Sequence, residues 1–250
     1  MKKPISVQMY TLREECEKDF IGTLEKVAGL GFEGVEFAGF YGMDPAVLKK
    51  ELDRLGLRAS GSHFPLRPLE ENFEENLKAQ KTLGSRYLIV AYPLDRMERE
   101  EEYTELAEKL NKMGKRCREE GITLCYHNHD FELKLFGNRT GFDILLQETS
   151  QEYVKAEPDV YWITYAGKDP VEWIQSYKGR TPLIHLKDMT KDSARTFAPL
   201  GKGSIEFKPV IDLEEEAGVE WWVIEQDECD GSPLESIQAS IEYLKNQLVR

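Results

Sequence analysis

The stretch Phe20-Ile-Gly-Thr-Leu-Glu-Lys-Val-Ala-Gly-Leu-Gly-Phe-Glu-Gly-Val-Glu-Phe37 contains one complete step from a helix to a strand. Apolar residues at helical spacing run from Phe20 to Leu30, Gly31 ends the predicted helix, and Gly34-Val-Glu-Phe37 is typical of a short buried strand. The same order of amphipathic helix, glycine and apolar strand recurs around Gly56, Gly84, Gly121 and Gly218. This repetition predicts parallel strands joined by helical crossovers.

Eight strand–helix units of this kind fit into the 250 residues. Eight units in a chain of this length predict a single (β/α)8 TIM barrel domain over residues 1–250, with an open doubly wound sheet as the alternative. A dinucleotide-binding sheet would need GxGxxG after strand one, where the chain has Thr11-Leu-Arg-Glu-Glu15. The predicted strands are 5–10, 34–37, 57–63, 87–91, 122–127, 154–159, 182–186 and 221–225.

The composition limits the partners of the chain. A formal net charge of -13 disfavours nucleic acid and anionic membrane surfaces. No stretch approaches the roughly 20 apolar residues of a membrane span, and the N-terminal residues lack the apolar run of a signal peptide, so a cytoplasmic location is expected. The four cysteines are scattered and form no CxxC pair, so we expect free thiols and neither a disulfide framework nor a thiolate zinc site.

Polar residues collect at the ends of the predicted strands, where barrel active sites lie. A single histidine is more often a hydrogen-bonded core or surface residue than a ligand, but all four histidines of this chain follow strands three, five and seven. Acidic residues join them after strands two, five, six and eight, and the long segment 188–205 after strand seven is expected to cover the site. The candidates are His63, His127, His129, His185, Glu36, Glu132, Asp159 and Glu225.

This composition predicts a metal. Buried carboxylates repel each other unless a cation lies between them. Three carboxylates with one imidazole suit one divalent ion, with Mn²⁺ or Mg²⁺ favoured over Co²⁺ or Zn²⁺.

Eight motifs follow each other along nearly the whole chain: Val7-Gln-Met-Tyr-Thr-Leu-Arg13, Gly34-Val-Glu-Phe37, Tyr126-His-Asn-His-Asp-Phe-Glu132, Asp159-Val-Tyr-Trp162, Gly167-Lys-Asp-Pro170, His185-Leu-Lys-Asp188, Leu200-Gly-Lys-Gly203 and Ile224-Glu-Gln-Asp227. With them the chain resembles the sugar phosphate isomerase/epimerase family of xylose isomerase-like barrels, which includes inosose dehydratases, ketose 3-epimerases and, more distantly, endonuclease IV. The resemblance implies a metal held by four residues, with His127 or His129 as the alternative to the first of them: Glu132, Asp159, His185 and Glu225.

The resemblance also implies substrate contacts by Glu36, His63, His129 and Lys187, and His127 shares a strand face with His129 and takes the same role. Trp162 stands where epimerases of the family often have a histidine. We expect its ring to stack on a sugar, and this departure puts ketose 3-epimerase activity in doubt.

The implied reaction is proton abstraction next to a carbonyl of a small sugar or polyol, which gives isomerisation or epimerisation. Glu132 and Glu225 would act as acid and base on opposite faces of the substrate, Lys187 would polarise an oxygen, and the metal would serve as Lewis acid. An inosose dehydratase-like or lyase reaction is the alternative, and a sugar-binding barrel without turnover is the non-enzymatic one. The acidic balance argues against an endonuclease. A homo-oligomer is in keeping with the resemblance.

Overall fold

Eight short parallel strands form the centre of the fold, as predicted. The computed structural model describes residues 3–92 and 96–248. The strands are arranged in the order six, five, four, three, two, one, eight, seven, so within this described part of the chain the first strand pairs with the last and only strands six and seven lack a regular pairing with each other. The strands are β1 (Ile5–Gln8), β2 (Gly34–Phe37), β3 (Arg58–Pro65), β4 (Tyr87–Tyr92), β5 (Thr123–His127), β6 (Val154–Glu157), β7 (Leu183–Leu186) and β8 (Trp221–Ile224).

Helices surround this sheet and complete a single-domain (β/α)8 barrel. Two helices begin with an aspartate followed by a proline, and both aspartates cap their helix: Asp44 accepts hydrogen bonds from the backbone N–H groups of Ala46 and Val47, and Asp169 accepts one from Val171. The helices are α1 (Arg13–Gly29), α2 (Pro45–Leu55), α3 (Leu66–Glu71), α4 (Phe73–Leu83), α5 (Glu100–Glu119), α6 (Gly141–Glu148), α7 (Val160–Tyr165), α8 (Pro170–Ser176), α9 (Phe207–Ile211), α10 (Glu214–Ala217) and α11 (Pro233–Gln247).

The observed bounds depart from the predicted ones at several places. Strand one ends at Gln8 and a 3-10 turn follows it, so α1 begins at Arg13, seven residues before the predicted start at Phe20. The predicted helix 207–217 is divided into α9 and α10. The predicted strand 154–159 ends at Glu157, because Asp159 caps the unpredicted helix α7.

The segment after β7, expected to lack regular structure, contains a small hairpin. Asp188–Met189 pairs antiparallel with Phe197–Ala198. A second two-residue hairpin, Leu135–Phe136 with Arg139–Thr140, follows β5. Both hairpins follow barrel strands at their C-terminal ends, where loops shape the site.

The barrel has a seam between β6 and β7. Among the described residues these two strands share one isolated bridge, Asp159 with His185, in place of a regular ladder. The backbone N–H of His185 donates to the carbonyl of Pro158 at 2.9 Å. Pro158 itself has no N–H to donate, which limits regular pairing at this position.

The N-terminal half of the barrel interior is apolar, and we call it the apolar plug. Its side chains are buried and come from four strands. The plug consists of Tyr87, Ile89, Cys125, Leu183, Trp221 and Val223.

All four cysteines are free thiols, and three of them are buried. Among the described residues, no helix is both long and apolar enough to cross a membrane.

Candidate active site at the barrel mouth

The site lies directly above the apolar plug, and β5, β7 and β8 contribute to both layers. Side chains two residues apart on a strand share a face, so the strands that bring Leu183 and Val223 into the plug bring His185 and Glu225 into the layer above it. This layer is almost fully buried, and we call it the ionic cluster. Its members are Glu36, His63, His127, Glu157, Asp159, His185, Lys187 and Glu225.

His185 lies at the centre of the ionic cluster. Its Nε2 is 2.7 Å from Glu36 Oε1, and its Nδ1 is 2.8 Å from Glu225 Oε2. Burial opposes protonation of this imidazole, but the surrounding carboxylates outweigh burial and raise the pKa of His185 well above its usual value. The ring is therefore held between two carboxylates, one from β2 and one from the end of β8.

His63 makes a similar pair of contacts at the edge of the cluster. Its Nε2 is 2.7 Å from Glu157 Oε2 and 2.9 Å from Glu36 Oε1. Burial lowers the pKa of His63, but the two carboxylates reverse that effect and raise it to about 9. Glu157 thereby joins the cluster, since its Oε2 also lies 3.4 Å from His127 Nδ1.

Lys187 closes the cluster on the side of β7 and β8. Its ammonium lies 2.9 Å from Asp159 Oδ2, 2.8 Å from Glu225 Oε2 and 2.8 Å from Asp227 Oδ1. The side chain is 1% exposed. The three carboxylates outweigh the cost of burial and raise the pKa of Lys187 well above its usual value, so it is an ammonium at neutral pH.

Glu132 does not join the other predicted metal ligands. It lies in a 3-10 turn after β5, where Oε1 accepts a hydrogen bond from the Tyr126 hydroxyl at 2.8 Å and Oε2 accepts one from the His129 backbone N–H at 2.8 Å. Burial raises the pKa of Glu132 to about 8 in spite of these donors. The nearby position in the cluster is taken by His127.

A cavity of about 460 Å³ opens above the cluster. Five of the sequence-predicted residues line it, whereas Glu36, Asp159 and His185 lie beneath it and Glu132 lies outside its lining. Trp162 flanks the cavity, with its ring 5.7 Å from the His129 ring and 6.1 Å from the Phe197 ring. The predicted residues in the lining are His63, His127, His129, Lys187 and Glu225.

The donor atoms fit a divalent metal at two overlapping places. One group is His63, His127, Glu157 and His185, and the other replaces two of these with Asp159 and Glu225; within each group the donor atoms lie within 4.8 Å of one another. His127 Nδ1 and Glu157 Oε1 are buried and have no hydrogen-bond partner among the described residues. Buried polar atoms without a partner are costly unless something binds them.

The balance of charge points the same way. Five carboxylates meet here: Glu36, Glu157, Asp159, Glu225 and Asp227. Only Lys187 and the imidazolium forms of His63 and His185 oppose them among the described residues. Uncompensated negative charge in a buried place favours a bound cation.

Glu157, Asp227 and Phe197 belong to the site but were not among the predicted site residues. Glu157 precedes a proline, and a carboxylate there is usually solvated, but it lies two residues before Asp159, a spacing that indicates a shared face. Asp227 likewise lies two residues from a predicted residue, Glu225, and follows the end of β8. Phe197 comes from the hairpin after β7, and no periodicity in the sequence indicates its position in the lining.

Buried carboxylates and imidazoles that could bind a metal ion lie at the C-terminal strand ends of this barrel, which is where TIM-barrel enzymes have their active sites. The xylose isomerase-like TIM barrel model matches residues 24–247, and the chain belongs to that family. The expected fold and family are therefore confirmed.

Relatives and solved structures give the same result. An inosose dehydratase from Clostridium botulinum is 28% identical, over 92% of this chain and 90% of that protein. A sugar phosphate isomerase/epimerase structure from Parabacteroides distasonis superposes with a TM-score of 0.84 at 25% identity, covering 100% of this chain and 95% of that one. The fold is also shared, at a TM-score of 0.77 and 12% identity over 98% of both chains, with a structure described as IOLI protein with a bound zinc atom.

Proposed function

We propose that this enzyme is a metal-dependent dehydratase of an unphosphorylated keto-polyol. It takes a proton from the carbon next to the carbonyl and releases the hydroxyl of the following carbon as water, leaving a carbon–carbon double bond conjugated with the carbonyl. One observation carries the proposal: Glu225 and Lys187 line the cavity together, with Oε2 and Nζ 2.8 Å apart. A base and an acid on the same wall suit loss of a proton and a hydroxyl from one face of the substrate.

Glu225 and Lys187 have separate roles in this reaction. Glu225 accepts the proton from carbon, and Lys187 donates a proton to the leaving hydroxyl. Glu225 can also ligate a metal, because a carboxylate has two separate oxygens. A divalent ion held by His127, Asp159, His185 and Glu225 would supply Lewis acidity toward the carbonyl. Mn²⁺ or Mg²⁺ is our first expectation, and the bound zinc of the more distant relative makes Zn²⁺ the next ion to test.

The charge of the cavity supports a neutral substrate. The carboxylates of Glu225, Asp227 and Glu228 line it. The Lys187 ammonium contacts three carboxylates, so it offers a phosphate little attraction. The similarity to inosose dehydratases over nine-tenths of the chain favours a cyclic keto-polyol of that kind.

The activity is tested with a keto-inositol and the protein loaded with Mn²⁺, Mg²⁺, Co²⁺ or Zn²⁺ in turn. We expect the substrate to lose one water by mass spectrometry as the ultraviolet absorption of a conjugated ketone appears. A stereoisomeric product whose mass is unchanged in H₂O and one unit higher in D₂O would establish epimerisation instead. Absence of turnover with every metal, in protein shown to bind it, would refute the proposal.

The metal site is tested apart from activity by measuring metal content. We expect close to one ion per chain in the wild type and a strong loss in both Asp159→Ala and His185→Ala. Asp192→Ala is the matched control, because Asp192 is an exposed acid on the hairpin after β7. Equal metal content in all four proteins would place the ion elsewhere.

Epimerisation is the second candidate, favoured by the isomerase/epimerase structure that covers the whole chain. That reaction needs proton transfer on both faces of the substrate, and Glu132 was predicted to act opposite Glu225. Because Glu132 is bound by Tyr126 and by the His129 amide outside the cavity lining, we expect Glu132→Gln to retain more turnover than Glu225→Gln. Equal loss in both variants would favour the epimerase.

A further inference from the structure

Asp188 is a buried acid that the proposed reaction does not use. It follows Lys187 directly, and neighbouring residues on an extended segment point to opposite sides. Lys187 reaches the cavity, whereas Asp188 faces the loop that returns from the hairpin. The side chain is fully buried, and among the described residues no lysine, arginine or histidine forms an ion pair with it.

Four backbone amides bind this carboxylate instead. Oδ1 accepts hydrogen bonds from the N–H groups of Met189 at 2.8 Å and Ile205 at 3.0 Å. Oδ2 accepts from the N–H groups of Gly201 and Gly203, both at 2.9 Å. We call these four amides the amide nest; such arrangements of N–H groups are a recurrent way to bind an anion.

The loop is shaped for this contact. A Cβ atom at Gly203 would lie 2.3 Å from Asp188 Oδ1 and 2.2 Å from the carbonyl oxygen of Met189. The backbone of residue 203 can therefore approach the carboxylate only because it is a glycine. Any larger residue would push Asp188 out of the amide nest.

The amide nest ties together both ends of the segment that borders the cavity. Asp188 pairs with Ala198 across the hairpin, next to Phe197, which lines the cavity. The Lys187 ammonium lies 5.9 Å from the centre of the Phe197 ring. Fixing residue 188 to residues 201–205 thus fixes the backbone that carries Lys187 and the strand that carries Phe197.

In many TIM barrels the loops after strands seven and eight bind a phosphate of the substrate through backbone amides. In this chain four backbone amides of the segment after β7 bind a carboxylate of the chain itself. We propose that Asp188 is a positioning residue, an internal anion that fills the amide nest and thereby holds Lys187 and Phe197 at the cavity. The catalytic part of this inference rests on the proposed role of Lys187, whereas the filling of the nest does not.

The test compares Asp188→Ala with the wild type, with and without sodium formate, a free carboxylate small enough for the vacated space. We expect kcat per folded molecule to fall roughly 10–100-fold, with a smaller change in KM, as for other residues that support a functional side chain. Formate should raise both the melting temperature and kcat of Asp188→Ala in a saturable manner, and should change neither in the wild type.

Two variants control for a simple loss of folding. Asp192→Ala removes an acid that binds its own hairpin tip through Thr190 and Ala194, and we expect wild-type kinetics without a formate effect. Asp188→Asn keeps the side-chain volume but presents an NH₂ group to two amide donors, so it should lose kcat and resist rescue by formate. If Asp188→Ala does not fold, the kinetics of Asp188→Asn decide.

Wild-type kinetics in both Asp188 variants would overturn the inference, and so would an Asp188→Ala protein whose melting temperature and kcat ignore formate. If even the wild type turns over no keto-polyol, the proposed function fails by itself. The formate-dependent melting temperature of Asp188→Ala then still decides whether an anion fills the amide nest.

Discussion

The two halves of the barrel interior share the strands β5, β7 and β8 and have opposite chemistry. On β7, Leu183 belongs to the apolar plug and His185 to the ionic cluster; on β8, Val223 and Glu225 are divided in the same way. One step of two residues along a strand separates a dry hydrophobic layer from a layer of charges. The strand geometry places both sets, and the residue type at each position decides between stability and chemistry.

The two layers have different energetic roles. Burying the apolar plug removes hydrocarbon from water and stabilises the fold. The ionic cluster takes charges out of water, and the attraction between them seldom exceeds that cost. Substitutions in the plug should therefore lower stability and spare catalysis, while substitutions in the cluster should do the reverse.

The largest effect is expected at Glu225. Glu225→Gln keeps the size of the side chain and removes the proposed proton acceptor, so kcat should fall roughly 10²–10⁴-fold. Steady-state kinetics measure the loss of turnover, and circular dichroism on the same sample shows whether the fold is retained. Glu228→Gln, an acid in the same cavity lining without a contact to Lys187, should stay within a fewfold of wild type. Full activity of Glu225→Gln would remove this residue from the mechanism.

The counterpart in the plug is Leu183→Ala. Leu183 is fully buried, and truncation of a buried leucine to alanine lowers the free energy of unfolding by about 2–5 kcal/mol. We expect that loss in urea unfolding, together with wild-type kcat per folded molecule at low temperature. A large fall of kcat in the folded protein would show that the two layers are coupled.

A smaller effect tests whether the plug must be apolar as well as filled. Val223→Thr keeps the shape of the side chain but buries a hydroxyl group, which costs about 1–3 kcal/mol if it finds no partner. The matched change Val223→Ile keeps the layer apolar. Equal stability of wild type and Val223→Thr would mean that the hydroxyl reaches a polar neighbour and that the boundary between the layers is not sharp.

The smallest effect is expected at the outer end of the plug. Arg86 Nη1 contacts Glu220 Oε2 at 3.0 Å with both side chains largely exposed. Exposed ion pairs contribute about 0–1 kcal/mol. Arg86→Ala should therefore change the urea midpoint only slightly and leave kcat unaltered. A loss as large as that of Leu183→Ala would contradict the assignment of this end to stability through hydrophobic burial.

Much of the fold could be predicted because its signals are local. The helix–glycine–strand step repeats along the chain, and three of the helix starts carry Asp-Pro or Ser-Pro caps. Alternation along the strands also predicted that His63, His127, His185 and Glu225 would meet at one end of the barrel. The hairpin after β7 has no such periodicity in its sequence. Its position depends on the hydrogen bonds between Asp188 and the amide nest, which join residues distant in the chain.

The orientation of side chains beyond the strand ends was harder to predict. Glu132 follows β5 by five residues, and only the tertiary contacts with Tyr126 and the His129 amide show that its carboxylate turns away from the cluster. Glu157 was missed for the opposite reason. A carboxylate before a proline at a strand end is usually solvated, whereas the fold places this one among three imidazoles.

In the described part of the chain, the barrel is an incomplete ring that a single bridge closes between β6 and β7, and this bridge lies inside the site. Asp159 and His185 form the isolated bridge across that seam, and both belong to one metal-compatible group. An ion or ligand that binds Asp159 and His185 at the same time therefore also holds β6 and β7 together. Because such a ligand binds only the folded chain, its binding raises the free energy of unfolding of the whole protein. Occupancy of the site and mechanical closure of the barrel are in this way one equilibrium.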